Sequence, residues 1–266
     1  VYKRQIYGNI SVKNNEIDDF IIARSDGSPV YNLTNVVDDS LMEITHVIRG
    51  EDHVSNTPKQ ILIYNALGFK VPTFAHLPMI LGEDKKRLSK RHGATGVNEY
   101  ESMGYQPDAL LNYLVLLGWN PGTDEEIFDL DSLVKIFDIR KVQKKSAIYD
   151  QKKFNWISSQ HLMKEDSEKV LNRLASIDPK WGEYKSQDYL VKVIDLIKPR
   201  SNSLTDLIDQ SQYFFCSPKQ FDSAQLQKIW NQNTTEIIIE LKSVLGVINS
   251  WVAIELESTF KSFMDQ

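Results

Sequence analysis

The chain has 266 residues, 41% of them hydrophobic and 25% charged, which gives enough apolar mass for real cores and suggests about two domains. Its formal charge of -5 excludes a general basic field for nucleic acid, so any polyanion site must be local. A single cysteine, Cys216, excludes an internal disulfide framework or a cysteine zinc cluster and fits a reducing, cytoplasmic home.

The first third mixes strand and helix signals. "NISVKN" and "DDFIIARSDGSPVYNL" carry strand-like apolar runs, with "SDGSP" as a turn between them. In "PVYNLTNVVDD", Tyr31 and Asn35 stand four apart, and a hydroxyl with an amide can orient a small polar ligand. A turn with an Asx cap fits the same residues. "EITHVIRGEDH" reads as a buried strand over Thr45 to Ile48 that leaves through Gly50. "SNTPKQILIYNALG" reads as a helix, capped by Ser55 or Asn56, with Pro58 in its first turn and Gly68 at its end. Strand, polar loop and helix make one unit of an α/β layer, and ligands sit at the carboxyl ends of such strands. That places Arg49, Glu51, Asp52 and His53 at a ligand-facing edge. Arg49 suits a bidentate grip on a carboxylate, and equally an ion pair with Glu51 or Asp52.

"GEDKKRLSKRHGATG" follows. Lys85, Lys86, Arg87, Lys90 and Arg91 put five cations within seven residues of an acidic chain. Such a loop suits a phosphate chain whose transition state spreads negative charge over several oxygens. A solvated loop or a localisation signal fits the run as well. The Gly-rich spacing G-x-x-x-x-G-K-[ST] is absent.

After Gly96 the strand signal fades. "PDALLNYLVLLGW" predicts a helix ending at Gly118, and its apolar run is too short for a membrane span of about 20 residues. "DLDSLVKIFD" and "YDQKKFNWISSQHLMK" predict helices capped by Asp or Ser and by Asp150. "SEKVLNRLASI", "QDYLVKVIDLIKP", "SLTDLIDQSQYFF" and "SAQLQKIWNQ" continue the helical pattern. The final "GVINSWVAIELESTFKSFMDQ" has helical spacing that no Gly or Pro closes. With Val at position 1, both ends read as cut, and the sequence as a piece of a longer protein. "RKVQKKSAIYDQKK" holds six cations, Arg140, Lys141, Lys144, Lys145, Lys152 and Lys153, and can touch a nucleic-acid backbone or simply face water. The five histidines show no helical pair or tight ligand spacing, so no metal site is expected from them.

Taken together, "RSDGSPVYNLTNVVDD", "ITHVIRGEDHVSNTPKQILIYNALG", "PTFAHLPMILGEDKKRLSKRHGATGV" and "GYQPDALLNYLVLLGW" follow one another at the spacing of bacterial glutamyl-tRNA synthetases. The resemblance is close from about Ile6 to Trp156 and looser through "IKPRSNSLTDL" and "YFF"; the first five residues do not share it. It implies the second half of a Rossmann-like class I catalytic domain (1–82), then an ATP loop with a helical stem-contact region (83–162), then an all-α anticodon-binding region (163–266). It implies that "RLSKR" is the mobile ATP loop, with Lys90 at the phosphates and Ser89 and Arg91 as helpers. Arg87 and Leu88 belong to the same ATP site, with Asp52 as the ATP-side carboxylate and the backbone of Met79 and Ile80 at the adenine. Tyr31, Asn35 and Arg49 would line the glutamate pocket. The implied partners are ATP with Mg2+, L-glutamate and tRNA(Glu), the last touched by Arg140 to Lys153, with no membrane and no DNA.

Two features depart from the family pattern. Arg87 stands where the loop usually has Lys, and Glu51 where Asp is common. The first class I signature, a His-x-Gly-His-type turn, has no match in the sequence, and neither does the family's last helical subdomain. Enzymes that glutamylate a modified nucleoside in tRNA share the catalytic domain but lack the helical portion that follows "FNWIS" here. Glutaminyl enzymes carry β-barrels in that place. A tRNA-binding module without catalytic activity is the remaining alternative.

Overall fold

The computed structural model describes residues 2–4, 8–89, 96–217 and 221–265, which fall into two units, Val1–Gln212 and Tyr213–Gln266. The first unit opens with a mixed sheet of β1 (Tyr2–Arg4), β2 (Gly8–Ile10), β3 (His46–Gly50) and β4 (Thr73–Leu77) in the order β2-β1-β4-β3. β1 runs antiparallel to β2 and parallel to β4, and β4 runs parallel to β3 with Arg49 opposite His76. A parallel pair needs a crossover, which α2 (Asn56–Ala66) supplies. The helix stops where anticipated, because Gly68 takes φ +70, a conformation a side chain would strain.

Two expectations for this third are corrected. The turn at "SDGSP" forms, closed by an antiparallel bridge between Ala23 and Pro29, but the strand-like run around it makes no strand and its last residues open α1, the helix Tyr31–Leu41. The helical solution buries Val36 and the flank of Leu33 against Ile63, Tyr64 and Phe74, which an extended segment cannot do. The strand near residue 45 runs His46–Gly50 and is half-exposed rather than buried, with Ile48 open to solvent. It ends the sheet order, so among the described residues β4 is the one strand paired beside it.

Next come β5 (Ile80–Leu81), α3 (Val97–Ser102), α4 (Pro107–Leu116), α5 (Leu130–Ile136) and β6 (Ala147–Ile148), which returns to pair in parallel with β5. Pro107 enters α4 at its first turn, and Asp129 caps α5 by accepting from the Ser132 amide at 2.7 Å. Their core is aromatic: Tyr100, Tyr113, Tyr149 and Phe154 with Leu110 and Ile157. Fully buried Asn112 stitches it together. It donates to the Glu126 carbonyl at 3.0 Å and accepts from the Phe128 amide and His161 Nε2, each at 2.9 Å. Burial holds the His161 imidazole below its ordinary pKa, which fits a neutral ring in that bond.

α6 (Gln151–Lys164) starts on Asp150, whose carboxylate accepts from the amides of Lys152 and Lys153. α7 (Ser167–Ile177), α8 (Gln187–Ile197) and α9 (Leu204–Ser211) then bury Val170, Leu174, Val193, Ile194, Ile197, Leu204 and Leu207. Their seam with the preceding helices is at Gly104. Its carbonyl accepts from the Leu204 amide at 3.0 Å, and the Thr205 hydroxyl donates to the Met103 carbonyl at 2.6 Å.

The second unit contains α10 (Ser223–Ile229), α11 (Gln232–Gly246) and α12 (Ala253–Met264). Asn231 and Thr234 form a reciprocal capping box at the start of α11. The final stretch is not one continuous helix from Gly246: the chain breaks over residues 247–252, and α12 begins only at Ala253. Among the described residues no helix is long and apolar enough to cross a membrane.

Candidate functional site

Arg49 stands one residue before the carboxyl end of β3, the edge where parallel α/β layers gather ligands. Three neighbours hold its guanidinium. Nη2 donates to Thr57 Oγ1 at 2.9 Å and to Gln60 Oε1 at 2.7 Å, both from α2. Nε points at His76 Nε2 on β4, 3.5 Å away. The guanidinium carbon also lies 5.5 Å from the Phe74 ring centre. Thr57, Gln60 and His76 are fully buried, so the orientation is fixed by packed side chains. The remaining nitrogen, Nη1, is buried and has no hydrogen-bond partner among the described residues. A buried charged donor without an acceptor is costly unless something else meets it, and a carboxylate is the natural counterpart.

Gln60 extends the arrangement by donating to Asn32 Oδ1 at 3.3 Å, so α1, α2 and β3 share one polar chain. Tyr31 opens α1, half-exposed, its hydroxyl 3.3 Å from His53 Nδ1 and its ring tilted over that imidazole. Asn35 lies one turn further on α1, on the Tyr31 side of the helix and half-buried. Nearby, burial raises the Asp39 carboxyl above its ordinary pKa, against the opposing pull of Arg49. Burial and that same carboxyl push Tyr64 up to about 12.

Asp52 turns back over Gly50, where a Cβ would lie 2.5 Å from a carboxylate oxygen, so a side chain at 50 would push that carboxylate aside. Arg87 Nη2 donates to Asp52 at 3.2 Å, so two of the expected ATP-site residues meet directly. The Met79 amide donates to the Glu51 carboxylate at 3.1 Å, and the Ile80 carbonyl accepts from the Leu88 amide at 2.9 Å. Both backbone positions expected at an adenine are therefore engaged within the protein. Residues 82–86 form the turn of a hairpin that brings Arg87 back to Leu81, with Lys85 at φ +61 and Leu88 packed on the aromatic core. Ser89 follows at the end of the described segment, and Lys90 and Arg91 lie outside the described residues.

The six cations of 140–153 do not form one open patch. Arg140 is clamped to Asp138 by three bonds of 2.8–3.1 Å, and Lys153 pairs with Glu126. Lys141 reaches the Pro121 carbonyl at 3.4 Å, while Lys144, Lys145 and Lys152 are exposed. Hydrogen bonds from Arg140 hold the Asp138 carboxyl at about 2, below its ordinary 3.8. The pairing is thus intact above pH 4 and is lost as pH falls through about 2. In Arg140→Ala, an NMR titration is expected to return the Asp138 midpoint toward 3.8. A midpoint unmoved by the substitution would show that the clamp does not form in solution.

Sequence reasoning missed Thr57, Gln60, His76 and Asn32. Thr57 and Gln60 carried a usable signal, since polar residues three apart on the apolar side of a helix demand partners. His76 carried none until the β3–β4 register was known.

Residues 1–156 match the family model for the catalytic domain of class I tRNA synthetases (E and Q), and residues 167–266 match an anticodon binding domain. The chain is 42% identical over 262 residues to glutamate–tRNA ligase 1 of Syntrophomonas wolfei, covering 96% of this chain and 52% of that protein. It is 39% identical over 273 residues to glutamate–tRNA ligase of Moorella thermoacetica, covering 100% of this chain and 56% of that one. The crystal structure of a glutamate tRNA ligase from Elizabethkingia meningosepticum, in complex with its amino acid, superposes with TM-score 0.82 at 31% identity, over 98% of this chain and 55% of that chain. The chain spans about half the length of the curated relatives it matches.

Proposed function

We propose, from the premise that this chain belongs to the class I tRNA synthetases for glutamate and glutamine, that its protein is a glutamate–tRNA ligase. It would attach the carboxylate of L-glutamate to the α-phosphate of ATP as glutamyl-adenylate, releasing pyrophosphate, and pass the glutamyl group to tRNA(Glu), releasing AMP, in the cytoplasm. The observation that carries the choice of glutamate is the buried Nη1 of Arg49, held in place on its other nitrogens and lacking an acceptor among the described residues. We assign the side-chain carboxylate of glutamate to it as a charge-assisted pair; both amino acids carry an α-carboxylate, and only with the side-chain group at Arg49 would the amide of glutamine leave the cation uncompensated. Relatives at about 40% identity that carry the name glutamate–tRNA ligase support the same choice.

In this reading Tyr31 and Asn35 complete the amino-acid pocket beside Arg49. Asp52 and Arg87 flank the nucleotide, with Leu88 and Ser89 beside them, and the Met79–Ile80 backbone meets the adenine once Glu51 yields the Met79 amide. Lys90 and Arg91 supply positive charge to the phosphates, where negative charge grows in the transition state. Mg2+ would arrive with ATP. Lys144, Lys145 and Lys152 are exposed and can meet a tRNA backbone, and Arg140, Lys141 and Lys153 could join them by exchanging their protein partners for phosphates. The boundaries 1–82, 83–162 and 163–266 would then separate amino-acid activation, ATP-loop and stem contact, and anticodon binding.

The test is tRNA charging by the full-length enzyme that carries this sequence, with glutamate and glutamine offered separately. Glutamate is expected to be favoured on the order of 10²-fold or more in kcat/KM, as for a site whose buried polar group goes unpaired with the wrong substrate. Equal or better charging with glutamine would overturn the assignment.

A further inference from the structure

Both flanks of the basic segment 85–91 converge on Tyr149, far along the chain. On the incoming side, the Tyr149 amide donates to the Leu81 carbonyl at 2.8 Å, extending the β5–β6 ladder by one bond. Arg87 bridges back to Leu81, and Leu88 binds Ile80 through its amide, so the hairpin hangs from that same ladder. On the outgoing side, α3 begins at Val97, and its Tyr100 places a hydroxyl 3.0 Å from the Tyr149 hydroxyl. Tyr149 donates its own proton to Gln151 Oε1 at 2.8 Å, so Tyr100 is the donor in the tyrosine pair. Both tyrosines are buried, and the Phe154 ring packs edge-on against Tyr100.

We propose that Tyr149 is a positioning residue that holds both flanks of the basic segment in register, its main chain fixing the incoming flank and its hydroxyl fixing the outgoing one. The catalytic consequence rests on reading that segment as the ATP loop; the holding itself does not. Tyr149 touches no substrate in this scheme. It acts by keeping Arg87 and α3 at a fixed separation, so that the cations between them work from preorganised ends.

Hydrogen exchange on the chain tests the holding, with Tyr149→Phe and Tyr100→Phe compared to Tyr105→Phe. Tyr105 belongs to the same aromatic cluster, but its hydroxyl donates to Asn155 on α6. In Tyr149→Phe the amides of Met103, Gly104 and Tyr105, which close the end of α3, are expected to exchange about fivefold faster. The Leu88 amide should be unmoved, because the main-chain bond to Leu81 survives. Tyr100→Phe should reproduce this asymmetry, and Tyr105→Phe should not. In the full-length enzyme, Tyr149→Phe is then expected to slow glutamate-dependent pyrophosphate exchange about fivefold or more with little change in the KM for glutamate. Faster α3 exchange with an unchanged rate would support the holding and count against the ATP-loop reading. Unchanged α3 exchange in both Tyr149→Phe and Tyr100→Phe would overturn the proposal.

Discussion

Arg49→Ala is expected to raise the KM for glutamate by at least about thirtyfold while leaving that for ATP within about twofold, because truncating one partner of a buried charge pair costs roughly 2–5 kcal/mol. The physical reason lies in how the guanidinium is held. Thr57, Gln60 and His76 take Nη2 and Nε, and these bonds leave Nη1 to meet a ligand. Alanine removes the cation and takes away the donor to Gln60 Oε1, while Thr57 keeps His76 and the His53 carbonyl. Lysine should not rescue the loss, since a point charge cannot bond Thr57, Gln60 and a carboxylate at once. Steady-state kinetics with each substrate varied in turn decide the matter. A variant whose ATP affinity falls while glutamate affinity holds would place Arg49 in the nucleotide site instead.

Gly104→Val is expected to destabilise the first unit by roughly 2–5 kcal/mol, the sum of left-handed backbone strain and overpacking at a closed seam. Gly104 sits at φ +74, and an added Cβ would come 2.7 Å from the Thr205 amide nitrogen and 3.0 Å from the Leu204 Cβ. Neither is the tip of a flexible side chain. Relief requires α9 to move off the turn between α3 and α4, which breaks the bond from the Leu204 amide to the Gly104 carbonyl. Thermal unfolding should move down by roughly 10 °C, at about 2–4 °C per kcal/mol for a unit of this size. Gly104→Ala should fall in the same direction by less. A melting temperature within about 2 °C of the parent in both variants would show that the seam is not closed in solution.

What the sequence disclosed and what it hid divide along physical lines. Local chemistry was legible: Pro58 and Gly68 bracket α2, Asp129 caps α5 and Asp150 caps α6. Each of these effects acts within one helical turn, so spacing alone carries it. α1 was hidden because the strand-like run was carried through to Leu33 and Asn35 fits a turn cap, while the burial of Val36 against Ile63 and Tyr64 depends on residues far along the chain. The same distinction runs through the site. Arg49 at a strand end could be read directly, but the partners that orient it come from α2 and from the β3–β4 register. The ion pairs of Arg140 and Lys153 were hidden, since Asp138 is a near neighbour outside the quoted run and Glu126 is distant in sequence.

The short ladder of β5 and β6 has a consequence for how this protein tolerates changes in length. Ile80 and Leu81 lie beside Ala147 and Ile148, so everything between them leaves and re-enters at a single doorway. The entropy of closing such a loop rises only with the logarithm of its length, about 0.6 kcal/mol for each doubling. Residues added at an exposed tip within it, such as Asn120–Glu125, would therefore lengthen an excursion whose two ends stay where Leu81 and Tyr149 bind each other. The same doorway sets a limit: residues added at the threshold itself would shift one strand past the other, turning Ile80 and Leu81 to opposite faces at once.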